Sequence, residues 1–191
     1  MELKAKIAEA TNYLKPKLKS TPLVGIVLGS GIGNLAKAID KDDDIPYSNI
    51  PNFPTATAIG HKGNLILGKI KGAPVAAMEG RMHYYEGYSL QEVTFPIRVL
   101  RALGCKYLFI SNAAGGLNPL FNRGDIVLIE DHINLTGTNP LIGPNDDSLG
   151  PRFPDMSQPY DKQLIALAEE IALRLGLKVK QGVYVGLTGP T

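Results

Sequence analysis

Arg81 and His83 stand two residues apart in "GRMHYYEGYS". In an extended loop that spacing turns both side chains to the same side. A guanidinium offers a planar fork of donors suited to phosphate oxygens. An imidazole adds a donor near neutral pH. Gly80, Gly87 and the adjacent Tyr84 and Tyr85 point to a shaped pocket; the plainer reading is a solvated loop in which Arg81 pairs with Glu86. A second stretch, "GSGIG" at 29–33, sits between an apolar run and a helix-like segment. Gly29 and Gly31 fit the start of G-x-G-x-x-G, but the third glycine's place is held by Asn34, so the dinucleotide fingerprint fails. No lysine follows the second glycine, so a Walker loop fails too. Two readings of "GSGIG" remain. It is a short nest of backbone N–H groups with the Ser30 hydroxyl inside it, fit for a small oxyanion, or it is a tight turn between strand and helix.

The elements around these stretches alternate between two periodicities. Leu3, Ile7, Ala10, Leu14 and Leu18 fall on one face of an N-terminal helix. A strand over Leu23 to Leu28 enters the glycine turn, and a short helix leaves it. "DKDDDIPYSNIPNFPTATAIG" reads as a loop whose acidic run is solvated. "NLILGKIKGAPVAAM" reads as two strands joined by a tight Lys-Gly turn. Ser89 and Glu92 form a capping box that opens a helix carrying Val93, Ile97, Leu100 and Leu103 on one face, with Pro96 as a kink and Gly104 as the stop. "KYLFIS" reads as a buried strand and "GDIVLIEDHI" as another. The segment Thr138 to Pro159 is too long for a simple connector. A last helix spans Asp161 to Leu175 with Leu164, Leu167, Ala168, Ile171 and Leu175 on one face, and "GVYVGL" is a final strand. This alternation predicts one α/β domain over 1–191, with a twisted mixed, largely parallel sheet flanked by helices. Each polar stretch follows a strand, so loops distant in sequence can meet at the carboxyl ends of the strands, where open α/β sheets bind ligands.

Composition narrows the function classes. The chain has 191 residues, 44% apolar and 20% charged, which allows one sizeable core. A net charge of +2 gives no support for a nucleic-acid surface. No apolar run approaches the roughly 20 residues of a membrane span, and the N-terminus lacks the apolar centre of a secretion signal. The single cysteine, Cys105, suits a reducing, cytoplasmic setting and reads as packing. His61, His83 and His132 show no pair with H-x-x-x-H spacing, so no metal is expected. His132 reads as a satisfied, partly buried histidine beside the site.

In this order, "VLGSGIG", "GHKGNLILGKIKGAPVAAMEGRMHYYEGYS", "SNAAGGLN", "GDIVLIEDHINLTG", "RFPDMS" and "GLTGPT" resemble purine nucleoside phosphorylases of the trimeric type. The blocks "GRMHYYEGY" and "NAAGGLN" are specific; the Tyr-Tyr-Glu-Gly run favours this branch over the related methylthioadenosine phosphorylases. The resemblance implies a nucleoside-phosphorylase-like fold and the phosphorolysis of purine nucleosides of the inosine and guanosine type to free base and pentose 1-phosphate. It implies that Ser30, His61, Arg81, Met82 by its backbone, His83 and the Ala113 N–H hold phosphate, with His83 and His61 in the catalytic role. It implies that Tyr85, Ala113, Ala114 and Phe153 contact the nucleoside, Phe153 reaching it across a homotrimer boundary. No cofactor is implied, because inorganic phosphate is itself a substrate.

The physics fits these roles. Hydrolysing a glycosidic bond commonly needs two carboxylates. Phosphate arrives anionic, so the site has only to hold it against its charge and aim one oxygen at the anomeric carbon. Glu79 and Glu86 flank Arg81 without a sign of acid–base work. The family pattern continues past "GLTGPT" with an aromatic and a glutamate that binds the purine, a Met-Ser pair, and an asparagine at the base's N7. The resemblance therefore implies a chain truncated at its C-terminus and poorly active alone. The alternatives are a methylthioadenosine phosphorylase and an inactive phosphate-binding fragment.

Overall fold

The structure is a computed structural model that describes residues 2–29, 33–55 and 63–189. Those residues pack as two compact units, one ending at Ala113 and one starting at Ala114.

The first unit is a five-stranded mixed sheet with helices on one face. Its strands are β1 (Val24–Leu28), β2 (Asp40–Pro46), β3 (Asn64–Ile70), β4 (Ala73–Glu79) and β5 (Tyr107–Ile110), in the order β2-β3-β4-β1-β5. β1 runs parallel to both β4 and β5, and β3 runs antiparallel to β2 and β4. The β3–β4 hairpin closes through Lys71 and Gly72 at φ 48° and 84°. Two positive φ angles are what a two-residue primed turn demands, and its twist matches that of the strands it joins. α1 (Leu3–Leu14) and α2 (Leu90–Leu103) pack on each other and on the sheet. α2 opens on the Ser89–Glu92 capping box, runs through Pro96, and ends at Gly104 with φ 116°.

Alternation along the strands sorts the sheet's side chains into two buried clusters. Val27, Leu65, Leu67, Ala76 and Met78 face α1 and α2, against Ile7, Leu14, Phe95, Val99 and Leu100. Ile26, Leu28, Ile66, Val75 and Ala77 face the other way, against Ala36 and Ile39 of the 3-10 turn Gly33–Ala38 and its end. Both faces of the central strands are covered, which is why they read as continuous apolar runs.

Two expectations are corrected here. "DKDDDIP" is not loop but the edge strand β2. Asp40 and Asp44 are exposed and Asp42 and Asp43 half-buried while Ile45 is buried, and charges on an edge strand guard its unpaired side. "KYLFIS" does form a strand, but β5 is exposed along its length, Phe109 at 51% and Ile110 at 62%. It lies at the other edge of the sheet, with β1 as its one neighbour among the described residues.

The second unit holds β6 (Ile126–Asn134) and β7 (Val179–Gly186), paired in parallel, and α3 (Lys162–Arg174), which packs on β6. Asp161 caps α3 by accepting the Gln163 and Leu164 N–H groups. Arg152 ties the long loop before it by donating to the Leu141 and Gly143 carbonyls.

Candidate active site: an arginine junction at the strand ends

Beyond Glu79, Gly80 bends the chain at φ 106°, and the buried Tyr47 hydroxyl fixes the bend by donating to the Gly80 carbonyl at 2.7 Å. Burial raises the Tyr47 pKa above the ordinary phenol value, so it stays a donor. Met82 then drops into the core at 2% exposure. Arg81 and His83, on either side of it, stay half-buried.

Three chain segments meet at Arg81. Its Nη1 donates to the Ser111 carbonyl at 2.9 Å. The Ser111 hydroxyl accepts the Gly29 N–H at 3.0 Å and donates to the Val27 carbonyl at 3.1 Å. Gly29, Arg81 and Ser111 stand just past the carboxyl ends of β1, β4 and β5, three adjacent strands with parallel neighbours. Gly29 is required by contact rather than by backbone angle. A Cβ there would lie 2.2 Å from the Ser111 carbonyl oxygen and 2.6 Å from Arg81 Nη1.

His83 is oriented by its own loop. Glu86 Oε1 accepts from the His83 backbone N–H at 2.8 Å and lies 2.7 Å from Nδ1. A carboxylate accepts, so Nδ1 is the protonated nitrogen and Nε2 is the one turned away from Glu86. Tyr85 stacks on the imidazole, 4.7 Å between ring centres and 17° between planes. Glu86 is thus engaged by His83, a role the sequence reading left open.

Ala113 follows this junction by two residues, and its carbonyl accepts from Asn112 Nδ2 at 3.2 Å. Ser30 and His61 lie outside the described residues. Ala114 and Phe153 belong to the second unit. Phe153 is 87% exposed, with the Arg152 guanidinium 5.9 Å from its ring centre. His132 is half-buried against Tyr160 at 6.0 Å. It is not the satisfied histidine expected, because its buried Nδ1 has no hydrogen-bond partner among the described residues. Cys105 is buried, and burial pushes its thiol up to about 11, which suits packing rather than nucleophilic work. Among the described residues no cluster of three His, Cys, Asp or Glu side chains could hold a metal ion, and no helix is long and apolar enough to cross a membrane.

Comparison with known proteins decides the family. The phosphorylase superfamily profile matches residues 23–191. Purine nucleoside phosphorylase 1 of Geobacillus stearothermophilus is 54% identical over 184 residues, covering 96% of this chain and 67% of that protein. Its Bacillus subtilis counterpart is 50% identical over 189 residues, covering 99% and 70%. The chain belongs to the purine nucleoside phosphorylases. In structure, isoform 2 of the Schistosoma mansoni purine nucleoside phosphorylase, solved with cytosine and ribose-1-phosphate, matches at a TM-score of 0.92 and 47% identity over 98% of this chain and 67% of that one.

Ser111 was not among the expected site residues, although it opens the block "SNAAGGLN". A signal did exist in Gly29, which stands before a polar stretch where a bulkier residue would serve a plain turn.

Proposed function

We propose that the protein cleaves purine nucleosides of the inosine and guanosine type with phosphate, and that the strand-end junction is the floor of its phosphate site. The carrying observation is the meeting of Gly29, Arg81 and Ser111 where three strands end. Arg81 is held there by a backbone carbonyl, so a charged fork is fixed in place before any ligand arrives. His83, held by Glu86 through Nδ1, donates to the anion from Nε2 only as the imidazolium, with both ring nitrogens protonated. Ser30, His61, the Met82 backbone and the Ala113 N–H complete the anion's partners in this reading.

Phosphate attacks the anomeric carbon with one oxygen. The C–O bond forms as the glycosidic C–N bond breaks, and the purine leaves with the electron pair and takes a proton. The products are the free base and pentose 1-phosphate. The reaction calls for no cofactor, since phosphate is a substrate. Tyr85, Ala113 and Ala114 would line the nucleoside. The ribose-1-phosphate bound in the Schistosoma relative supports a sugar phosphate as product.

The reading extends to assembly. Phe153 is displayed to solvent on a loop that Arg152 ties down, and we read it as the ring that covers the sugar of a neighbouring subunit in a homotrimer. The two units would then be parts of one phosphorylase domain, an assignment supported by a family match that runs across both. The lone buried Cys105 suits a reducing, cytoplasmic setting.

The test is product formation. Inosine or guanosine with phosphate should release base and ribose 1-phosphate, with methylthioadenosine a poor substrate. Preference for methylthioadenosine would move the protein to the sister group. Base release that does not depend on phosphate would overturn phosphorolysis altogether. Light scattering tests the assembly, with a monomer that retains full activity as the opposing result.

A further inference from the structure

We propose that Ser111 is a positioning residue for phosphate, acting through Gly29 and Arg81 rather than by touching the anion. The inference rests on the phosphate reading above. Ser111 bonds to both of the others. Its carbonyl receives Arg81 Nη1, and its hydroxyl receives the Gly29 N–H. That hydroxyl is itself locked, because it donates to the Val27 carbonyl, which also accepts the Ser111 N–H at 3.0 Å. Both bonds of the hydroxyl therefore hold the end of β1.

The Gly29 N–H is committed to Ser111 rather than to a ligand. Its work is to fix Gly29 against the end of β5. Ser111 then does two things with one backbone position. It anchors Gly29 at the end of β1 and supplies the carbonyl that aims Arg81. The absent Cβ of Gly29 lets the two bonds cross within 2.2–2.6 Å of where that atom would stand. A shift of Ser111 moves Gly29 and the guanidinium together.

A merely structural serine would stabilise the fold and leave phosphate affinity alone. The two roles separate by titrating the chain with inorganic phosphate in a calorimeter, well below the melting temperature of each variant. Ser111→Ala leaves a part-buried N–H without its acceptor, and the phosphate Kd is expected to rise about 10-fold. Ser111→Thr keeps the hydroxyl and is expected to stay within about threefold of wild type. Ser111→Cys keeps the shape with a weaker acceptor. It is expected to fall between, and it decides the matter if the alanine variant does not fold. An unchanged Kd in folded Ser111→Ala or Ser111→Cys, alongside a weakened Arg81→Ala, overturns the role of Ser111 and leaves the phosphate site standing. A wild-type chain that takes up no phosphate overturns both.

Discussion

The two units resemble each other in sequence pattern and differ in what they bury. α2 and α3 are both amphipathic, and both open on a side-chain cap, Ser89 in one and Asp161 in the other. α2 buries Phe95, Val99, Leu100 and Leu103, whereas on α3 Leu167 and Ile171 remain 46% and 44% exposed. Among the described residues every buried apolar side chain but Ala172 lies in the first unit. Periodicity states which face of a helix is apolar. Whether that face is covered depends on a partner surface elsewhere, and α1 with a five-stranded sheet offers far more of it than the β6–β7 pair.

The largest test of this contrast is a matched pair of truncations. Leu65 is fully buried and Leu173 is 80% exposed. Leu65→Ala should cost about 2–5 kcal/mol, the lost transfer energy plus the cavity left behind. Leu173→Ala should stay within about 0.5 kcal/mol of wild type. Urea unfolding measures both. Comparable losses would mean that Leu173, which lies opposite the apolar face of α3, is covered in solution.

The same contrast explains what the sequence disclosed. Local chemistry was legible: the Ser89–Glu92 box, the Lys71–Gly72 turn and the limits of α3 all follow from residues that act on their near neighbours. The mixed sheet followed from alternation. What failed depended on neighbours in space. "DKDDDIP" hid a strand because an edge can be charged on its open side, and "KYLFIS" looked buried because an apolar run does not report its place in the sheet order. In the site, the two-residue spacing of Arg81 and His83 pointed to the loop that the structure ties to Ser111 and Glu86. The part played by Ser111 was not legible, since Gly29 and Arg81 lie 82 and 30 residues away from it.

Next in size is an effect confined to the first unit. Arg81→Ala removes a charge-assisted donor, a loss of about 1.5–3 kcal/mol. Phosphate binding should weaken roughly 10- to 150-fold while the unfolding midpoint moves little. Unchanged affinity by calorimetry would take Arg81 out of the site.

The two helix caps sharpen the comparison further. Ser89→Ala and Asp161→Ala each remove a cap worth about 1 kcal/mol. The first should lower global stability, because α2 is built into the core. The second should show instead as faster amide exchange in α3, since a helix with one buried residue opens locally at low cost. Equal shifts in global unfolding would show that the two units melt as one.

The smallest effect concerns acid. Glu92 Oε2 accepts from the Ser89 hydroxyl at 2.7 Å and from the Ser89 N–H at 2.8 Å, and these bonds hold its carboxyl below the ordinary value of 4.5. A depressed folded pKa means that the unfolded chain binds more protons as pH falls through this window. The stabilisation is full above the unfolded pKa and is lost as pH drops through the folded one. The site is open to solvent, so the amount is on the order of 0.5 kcal/mol. Glu92→Gln keeps an acceptor and cannot titrate, so its stability should fall less steeply than wild type below about pH 4.5. Asp155, in the second unit, is likewise held low by the Ser157 N–H at 2.8 Å. It caps no packed element, so Asp155→Asn should leave the acid limb of global unfolding unchanged. Melting curves from pH 7 to pH 3 read both variants. Parallel acid limbs for wild type and Glu92→Gln would show that the capping box is already open before the first unit unfolds.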